Sequence, residues 1–250
     1  MSGIYVHVPF CKSKCTYCDF ASYPREIGKA ELYFACLYKE MKGRAETLKD
    51  YVFDTVYFGG GTPSFVDPKY IFGAMKQLKN YYKIADNAEI TIEINPATLS
   101  KEKLRFYKKA GINRFSVGLQ SADDKTLKSL NRIHTAKDFI ETAEILKGEN
   151  FSADVMIGLE NQTAADVRKT IDLAESCGAK HISCYALKPE EGTIMYGKYL
   201  NGDLPSADEV ADLYDDAVAY LQSKGYRRYE VSNFAKDGYY SRHNMNYWRR

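Results

Sequence analysis

Short runs of alternating apolar and polar residues recur along this chain, separated by longer stretches of helical period. Six runs read as strands: Gly3–Pro9, Thr55–Gly59, Glu89–Asn95, Arg114–Ser121, Ser152–Gly158 and His181–Leu187. Between them, Ile27, Ala30, Phe34, Leu37 and Met41 recur at three- and four-residue intervals, as do Ala207, Val210, Tyr214, Ala217 and Leu221; each set forms one face of an amphipathic helix. Ser or Thr followed three residues on by an acid marks helix starts at Ser121/Asp124, Thr135/Asp138, Thr163/Asp166 and Ser206/Glu209. Strands that each lead into a helix predict a parallel sheet with right-handed crossovers, either doubly wound or a barrel.

The strand faces decide between these. Side chains two apart share a face, so Ile90, Ile92 and Ile94 oppose Thr91, Glu93 and Asn95, and Phe115, Val117 and Leu119 oppose Ser116, Gly118 and Gln120. In the first strand Ile4, Val6 and Val8 oppose Tyr5, His7 and Pro9. A sheet covered by helices on both sides is apolar on both faces, and a packed eight-strand barrel fills its interior with branched apolar side chains. One polar face in strand after strand predicts an open barrel around a polar ligand.

Composition narrows the class. The chain has 250 residues, 45% hydrophobic and 27% charged, with a formal net charge of +2, which suits a soluble protein with a sizeable core and points to no nucleic-acid partner. No apolar run approaches a membrane span and no secretory signal is visible, so the cytoplasm is the expected location. Six cysteines without a signal peptide argue for metal or catalytic use rather than disulfides.

Three of them, Cys11, Cys15 and Cys18, fall within eight residues directly after the first strand. Thiolates at that spacing suit one soft metal centre, an iron–sulfur cluster, zinc or copper(I), and three local ligands leave one metal position open. Gly59-Gly60-Gly61-Thr62-Pro63 ends the second strand, where α/β folds bind ligands; its glycines allow close backbone approach and are expected to expose N–H groups. It is neither a P-loop nor a dinucleotide fingerprint. Cys36, Cys177 and Cys184 read as buried inert thiols, and His134 and His181 as structural. Glu93 on an inner face is expected to have a cationic partner. Taken alone, His243 reads as a surface histidine and Arg132 as a helix-end surface residue.

The cysteine loop and the glycine run together resemble the radical S-adenosylmethionine enzymes. The resemblance implies an α/β fold, a partial (β/α)6 TIM-like barrel, with a 4Fe–4S cluster on Cys11, Cys15 and Cys18 and S-adenosylmethionine on its fourth iron. Further motifs, Tyr5-Val6-His7-Val8-Pro9-Phe10-Cys11, Glu93-Ile94-Asn95-Pro96, Val117-Gly118-Leu119-Gln120-Ser121, Leu130-Asn131-Arg132-Ile133-His134 and Tyr229-Glu230-Val231-Ser232-Asn233-Phe234, are similar to the oxygen-independent coproporphyrinogen oxidase family. It implies cofactor contacts at Tyr5, Tyr17, Gly60, Gly61, Thr62, Glu93, Gln120, Arg132 and Asp154.

Two details separate branches of that family. Asp19-Phe20 follows Cys18 where the decarboxylase has a further cysteine, and His243-Asn244-Met245-Asn246-Tyr247-Trp248 matches the HNxxYW motif of HemW-like heme chaperones. The resemblance implies a protein that binds heme, with His243 as candidate ligand, and passes it to acceptor apo-hemoproteins, with an electron donor as partner and peripheral membrane contact through the acceptor. The alternatives are an oxygen-independent coproporphyrinogen III oxidase and a non-catalytic structural metal module. Residues 1–225 are expected to form the barrel and 226–250 the start of a C-terminal region, shorter than in family members.

Overall fold

A computed structural model describes residues 2–249; Met1 and Arg250, the outer bounds of the two expected regions, lie outside the described residues. Six parallel strands, β1 (Gly3–Val8), β2 (Val52–Gly60), β3 (Lys83–Ile94), β4 (Arg114–Gln120), β5 (Phe151–Ile157) and β6 (His181–Ala186), pair in sequence order. Each coincides with a run found by alternation, shifted by a few residues at the ends. The sheet stays open, as a partial barrel. Two short strands that the sequence pattern does not signal, β7 (Arg227–Arg228) and β8 (Asn233–Ala235), extend it antiparallel beyond β6 in the order β6-β8-β7.

The helices are α1 (Ala30–Arg44), α2 (Pro68–Tyr81), α3 (Lys101–Ala110), α4 (Asp124–Ser129), α5 (Ala136–Ile145), α6 (Ala164–Ser176), α7 (Ile194–Leu200), α8 (Ala207–Ser223) and α9 (Arg242–Trp248); most cover the convex side, α7 packs beside the cysteine loop through Met195, and α9 is set against the concave face. The outward residues of the strands, among them Val56, Phe58, Ile92, Val117, Val155 and Ile182, join Phe34 of α1, Ile71 and Leu78 of α2 and Leu221 of α8 in one core from which water is excluded. Burying each such side chain is worth about 1.5–3 kcal/mol, so one hydrophobic face fixes both the sheet register and the helix layer. Capping boxes close Thr135/Asp138, Thr163/Asp166 and Ser206/Glu209 as expected. The fourth assignment is corrected: α4 is capped by Asp123, which accepts from the Thr126 amide, while the Ser121 hydroxyl accepts the Asp123 N–H in the preceding turn.

The concave side carries the polar positions, and its floor is closed by the C-terminal segment. Residues beyond 226 continue the sheet of the preceding strands, and α9 packs on β2. Glu89 holds α9 in place: its carboxylate accepts from the Ser241 hydroxyl and from the backbone N–H groups of Arg242 and His243, at 3.0–3.3 Å. Thr55 on β2 meets both His243 Nδ1 (2.8 Å) and Asn246 Nδ2 (3.2 Å). Gly3 makes room, because a Cβ there would lie 2.6 Å from Thr55 Oγ1 and 3.1 Å from the His243 ring. The open, ligand-filled interior expected from the strand faces is therefore protein-filled at its lower end.

Because Glu89 is 8% exposed and also faces the buried Arg114, Glu89→Ala is expected to lower stability by about 3–5 kcal/mol. Arg242→Ala, which removes a half-exposed partner of Asp54, should cost under about 1 kcal/mol. Urea unfolding of the two variants checks the difference.

Candidate functional site

The cysteine loop leaves β1 at the upper rim of the concave face. Short parallel pairing of Phe10–Cys11 with Tyr23–Pro24 closes its base. Two segments distant in sequence brace it: the Thr16 N–H donates to Leu130 O (3.1 Å), Asn131 Nδ2 to Lys14 O (2.7 Å) and Met195 N–H to Thr16 O (3.0 Å), while within the loop Lys14 Nζ donates to Phe20 O (2.6 Å). Asn131 adopts a left-handed backbone (φ 55°) to turn back toward the loop.

Below the loop lies a cavity of about 390 Å³. Cys11, Cys15 and Cys18 all line it, and all are free thiols. Also on its wall are Tyr17, Gly60, Gly61, Thr62, Glu93, Gln120, Arg132 and Asp154. Ten sequence positions spread from 11 to 132, together with Asp154, thus meet in one space. Three thiols on one cavity wall suit a multi-iron cluster, whose iron corners are separate points. The donor set fits: three soft sulfur ligands, with no fourth cysteine on the cavity wall.

The strands place the rest. Glu93 accepts from the Tyr57 hydroxyl (2.9 Å) and from the Gly60 N–H (3.1 Å). The cationic partner expected for it is not there; its hydrogen-bond partners are neutral donors. Burial pushes its carboxyl up to about 7, the Tyr57 bond opposes this, and Asp154 adds to it. Asp154, accepting from Ser116 (3.3 Å), is likewise pushed up by burial to about 6, against hydrogen bonds from Ser183 and Ser116 and the charges of Arg114 and Arg132. Gln120 sits at a register irregularity of β4 with φ 68°, and its Oε1 accepts from Tyr185 (2.8 Å). Such a backbone is costly away from glycine; here it ends the strand and leaves the amide on the cavity wall.

Arg132 is no surface residue. Its Nη2 donates to Gly118 O (2.8 Å), and Nη1 approaches the Tyr17 hydroxyl (3.3 Å) and Cys15 Sγ (3.8 Å). Glycine at 118 leaves room for this placement, since a Cβ there would lie 2.8 Å from Nη2 and the arginine tip would have to shift. The glycine run behaves differently from expectation. Gly60 N–H is taken by Glu93, Gly61 N–H by Val8 O (2.9 Å) and Thr62 N–H by Phe10 O (2.8 Å), so these amides tie the cysteine loop to β2 rather than face a ligand. Gly60 (φ 114°) and Gly61 are needed for that close approach: a Cβ would lie 2.5 Å from the His7 ring at 60, and 2.8 Å from Phe10 O at 61.

Tyr5 and His243 lie apart from the cysteines. Both border a second hollow that shares Phe20, Tyr57, Gly60, Glu93 and Asn244 with the first. Tyr5 stacks on Tyr57 (6.0 Å between centroids), and Tyr57 on His243 (5.0 Å). His243 is 5% exposed, not a surface histidine, and burial lowers its pKa, which favours the neutral imidazole. His7, in the same hollow, donates from Nε2 to Ala21 O (2.7 Å) and meets the Tyr5 hydroxyl at Nδ1 (3.3 Å); both its nitrogens are engaged. His134 and His181 are buried and bonded to Leu119 O and the Tyr229 hydroxyl, as a structural role requires. Cys184 is buried, its thiol pushed up to about 12 by burial, but Cys36 is exposed on α1 and Cys177 is partly so, correcting the reading of those two as buried.

Ser116 stands on the cavity wall as its strand face predicts, while Tyr57, Arg114, Ser183, Tyr185 and Asn244 join it there without having been singled out from the sequence. Extending the same alternation to β2 and β6 finds Tyr57, Ser183 and Tyr185, each two residues from another inward position.

Comparison with known proteins agrees with this geometry. The profile described as Radical SAM superfamily matches residues 5–174. A protein of Buchnera aphidicola named heme chaperone HemW is 37% identical over 98% of this chain and 66% of its own length, and one of the same name from Bacillus subtilis 35% identical over 99% and 67%. A Bos taurus protein named radical S-adenosyl methionine domain-containing protein 1, mitochondrial, is 35% identical, with 57% of its length covered. The chain thus spans about two thirds, or less, of these relatives. Among solved structures, coproporphyrinogen III oxidase (HemN) from Escherichia coli superposes with a TM-score of 0.85 at 24% identity, over 95% of this chain and 56% of that one. An Elp3 from Methanocaldococcus infernus gives 0.63 at 16% identity, over 87% and 53%. The chain belongs to the radical SAM superfamily.

Proposed function

We propose that this chain is the cofactor-binding core of a heme chaperone, which holds a 4Fe–4S cluster and S-adenosylmethionine, binds heme and passes it to apo-hemoproteins. The observation that carries the reading is the shared wall of the two hollows: the three cysteines with Glu93, Gln120, Arg132 and Asp154 on one side, and His243 among Tyr5, Phe20, Tyr57 and Tyr247 on the other. The names of the bacterial relatives support the heme assignment.

Cys11, Cys15 and Cys18 would hold the cluster, which when bound supplies the one-electron reducing chemistry of the superfamily. Glu93, buried with only neutral donors bonded to it, favours a cationic group such as a sulfonium, with Asp154 on the same cavity wall. Arg132, pinned by Gly118 and beside Cys15, supplies fixed positive charge next to the thiolates. The Tyr5–Tyr57 pair offers ring faces to a flat ligand, and neutral imidazole at His243 is the form that binds heme iron. Tyr5 and His243 thus belong to the heme side of the reading, and Tyr17, Gly60, Gly61 and Thr62 to the cluster side. The expected electron donor, the acceptor's membrane contact and a cytoplasmic location are parts of the same proposal. Among the described residues no helix is long and apolar enough to cross a membrane.

Coproporphyrinogen decarboxylation is the competing activity, resting on the fold likeness to HemN; the residue after Cys18 is Asp19.

Anaerobic reconstitution should give about four iron and four sulfide per chain, and alanine at any one of Cys11, Cys15 or Cys18 should abolish it; iron and sulfide analysis with the visible spectrum reads the result. Reconstituted protein titrated with heme should give a Soret shift that His243→Ala weakens at least about tenfold. A cluster without heme uptake, and protoporphyrinogen formed from coproporphyrinogen, would transfer the assignment to the decarboxylase.

Glu93 gives a pH test. Its folded-state pKa is raised to about 7 from the ordinary 4.5, so its contribution is most favourable below 4.5 and is lost as pH rises through 7. From pH 5 to 8 the stability of the ligand-free wild type relative to Glu93→Gln should therefore fall by about 2 kcal/mol. Urea midpoints at the two pH values check the sign. The same variant should bind S-adenosylmethionine about tenfold more weakly, measured by calorimetry on the reconstituted protein.

A further inference from the structure

The cysteine cavity has a second cationic end. Arg114, at the start of β4, is 2% exposed and lines the cavity wall on the concave side. Among the described residues its Nε and Nη2 have no hydrogen-bond partner. The nearest carboxylate oxygen, Glu89 Oε2, is 4.0 Å from Nε, outside hydrogen-bond range.

Both acids that could satisfy Arg114 are committed elsewhere. Glu89 Oε1 accepts from Ser241 and from the His243 N–H, and Oε2 accepts from the Arg242 N–H. Asp154 accepts from Ser116 and Ser183. A guanidinium carries five N–H donors in a rigid fork and keeps its charge in proteins, and leaving such donors unmet in a protein interior is expensive. Ser116, Ser183 and Asn244 line the same cavity. The other cation of the cavity, Arg132, is already held by Gly118, Tyr17 and Cys15. A buried guanidinium on a cavity wall, with its nearest carboxylate oxygen 4.0 Å away, is a receptor for an anion, and a carboxylate oxygen is a strong acceptor for such a donor.

We propose that Arg114 receives a carboxylate of the tetrapyrrole, so that heme is recognised by a propionate side chain as well as by its ring and iron. This rests on the heme-binding reading above, and adds a selectivity which that reading does not require. The two hollows share Tyr57, Glu93 and Asn244, so one ligand can touch the aromatic side and the Arg114 end together.

The test compares ferric heme with heme dimethyl ester, whose propionates are uncharged, by anaerobic absorbance titration of the cluster-reconstituted protein. Wild type should prefer heme by about tenfold or more. Arg114→Gln should weaken heme to the level of the ester and leave the ester unchanged, while Arg114→Lys, which keeps the charge and loses the fork, should retain part of the preference. Equal binding of heme and ester by wild type would overturn the proposal and leave the heme reading standing. Binding of neither would overturn both. Equal weakening of both ligands in Arg114→Gln would assign Arg114 to holding the barrel floor, against the proposal. If Arg114→Gln does not fold, the wild-type pair and Arg114→Lys decide by themselves.

Discussion

A parallel sheet with one polar face must find partners for that face without a covering helix layer, and the architecture of this protein follows from how it does so. Thr55, Tyr57, Glu89, Glu93, Arg114, Ser116, Asp154 and Ser183 all lie on the concave side. Hydroxyl and backbone donors satisfy most of them locally: Tyr57 and Gly60 for Glu93, Ser116 for Asp154, and the first turn of α9 for Glu89. Among the described residues, Arg114 Nε and Nη2, Arg132 Nε, Thr91 Oγ1 and His181 Nδ1 on this side are buried without a hydrogen-bond partner, as are Tyr107 Oη and Asn150 Oδ1 elsewhere, a cost that buried polar groups rarely carry. Apolar packing on the convex side holds the sheet rigid while its inner face bears that cost.

The same constraint explains the way the cysteine loop is held. A three-thiolate site is useful only if its sulfurs are fixed before the metal arrives. Here backbone bonds from Gly61 and Thr62 draw the loop onto β2, and Asn131, Leu130 and Met195 brace it from the other side. Gly60 is thus fixed by its positive φ and the His7 ring, and Gly61 by packing between two backbones. A family resemblance assigns them to the cofactor, and the structure shows why they would matter even without it.

His243 illustrates how a motif can serve two ends. Its ring is locked by Thr55 and stacked on Tyr57, while its backbone N–H helps Glu89 anchor α9. Locking one imidazole nitrogen fixes the orientation of the other, the usual arrangement around a metal-binding histidine. A plug for the barrel floor and a ligand for iron are compatible roles for one side chain.

Much of this was legible in the sequence. Period-2 alternation located six strands and their polar face because that alternation is a local consequence of the pleat, needing no knowledge of the partner strand. Spacing alone brought out Cys11, Cys15 and Cys18, since three ligands on one short loop are already neighbours in the chain. Local pattern failed where the outcome depends on chain segments far apart. Arg114 and Glu89 look like ordinary strand-end charges until α9 arrives from more than 120 residues away to occupy the carboxylate and strand the guanidinium. Gly61 looks like a ligand loop until the backbone of Val8 and Phe10 is laid against it. Arg132 looks like a helix-end surface residue until Gly118 opens a space for it beneath the cysteines. The sequence by itself determined which side chains face inward and which thiols stand together; only the tertiary structure decided which inward groups satisfy each other, because hydrogen-bond partners are set by three-dimensional proximity and by how many lone pairs and donors each group has left to give.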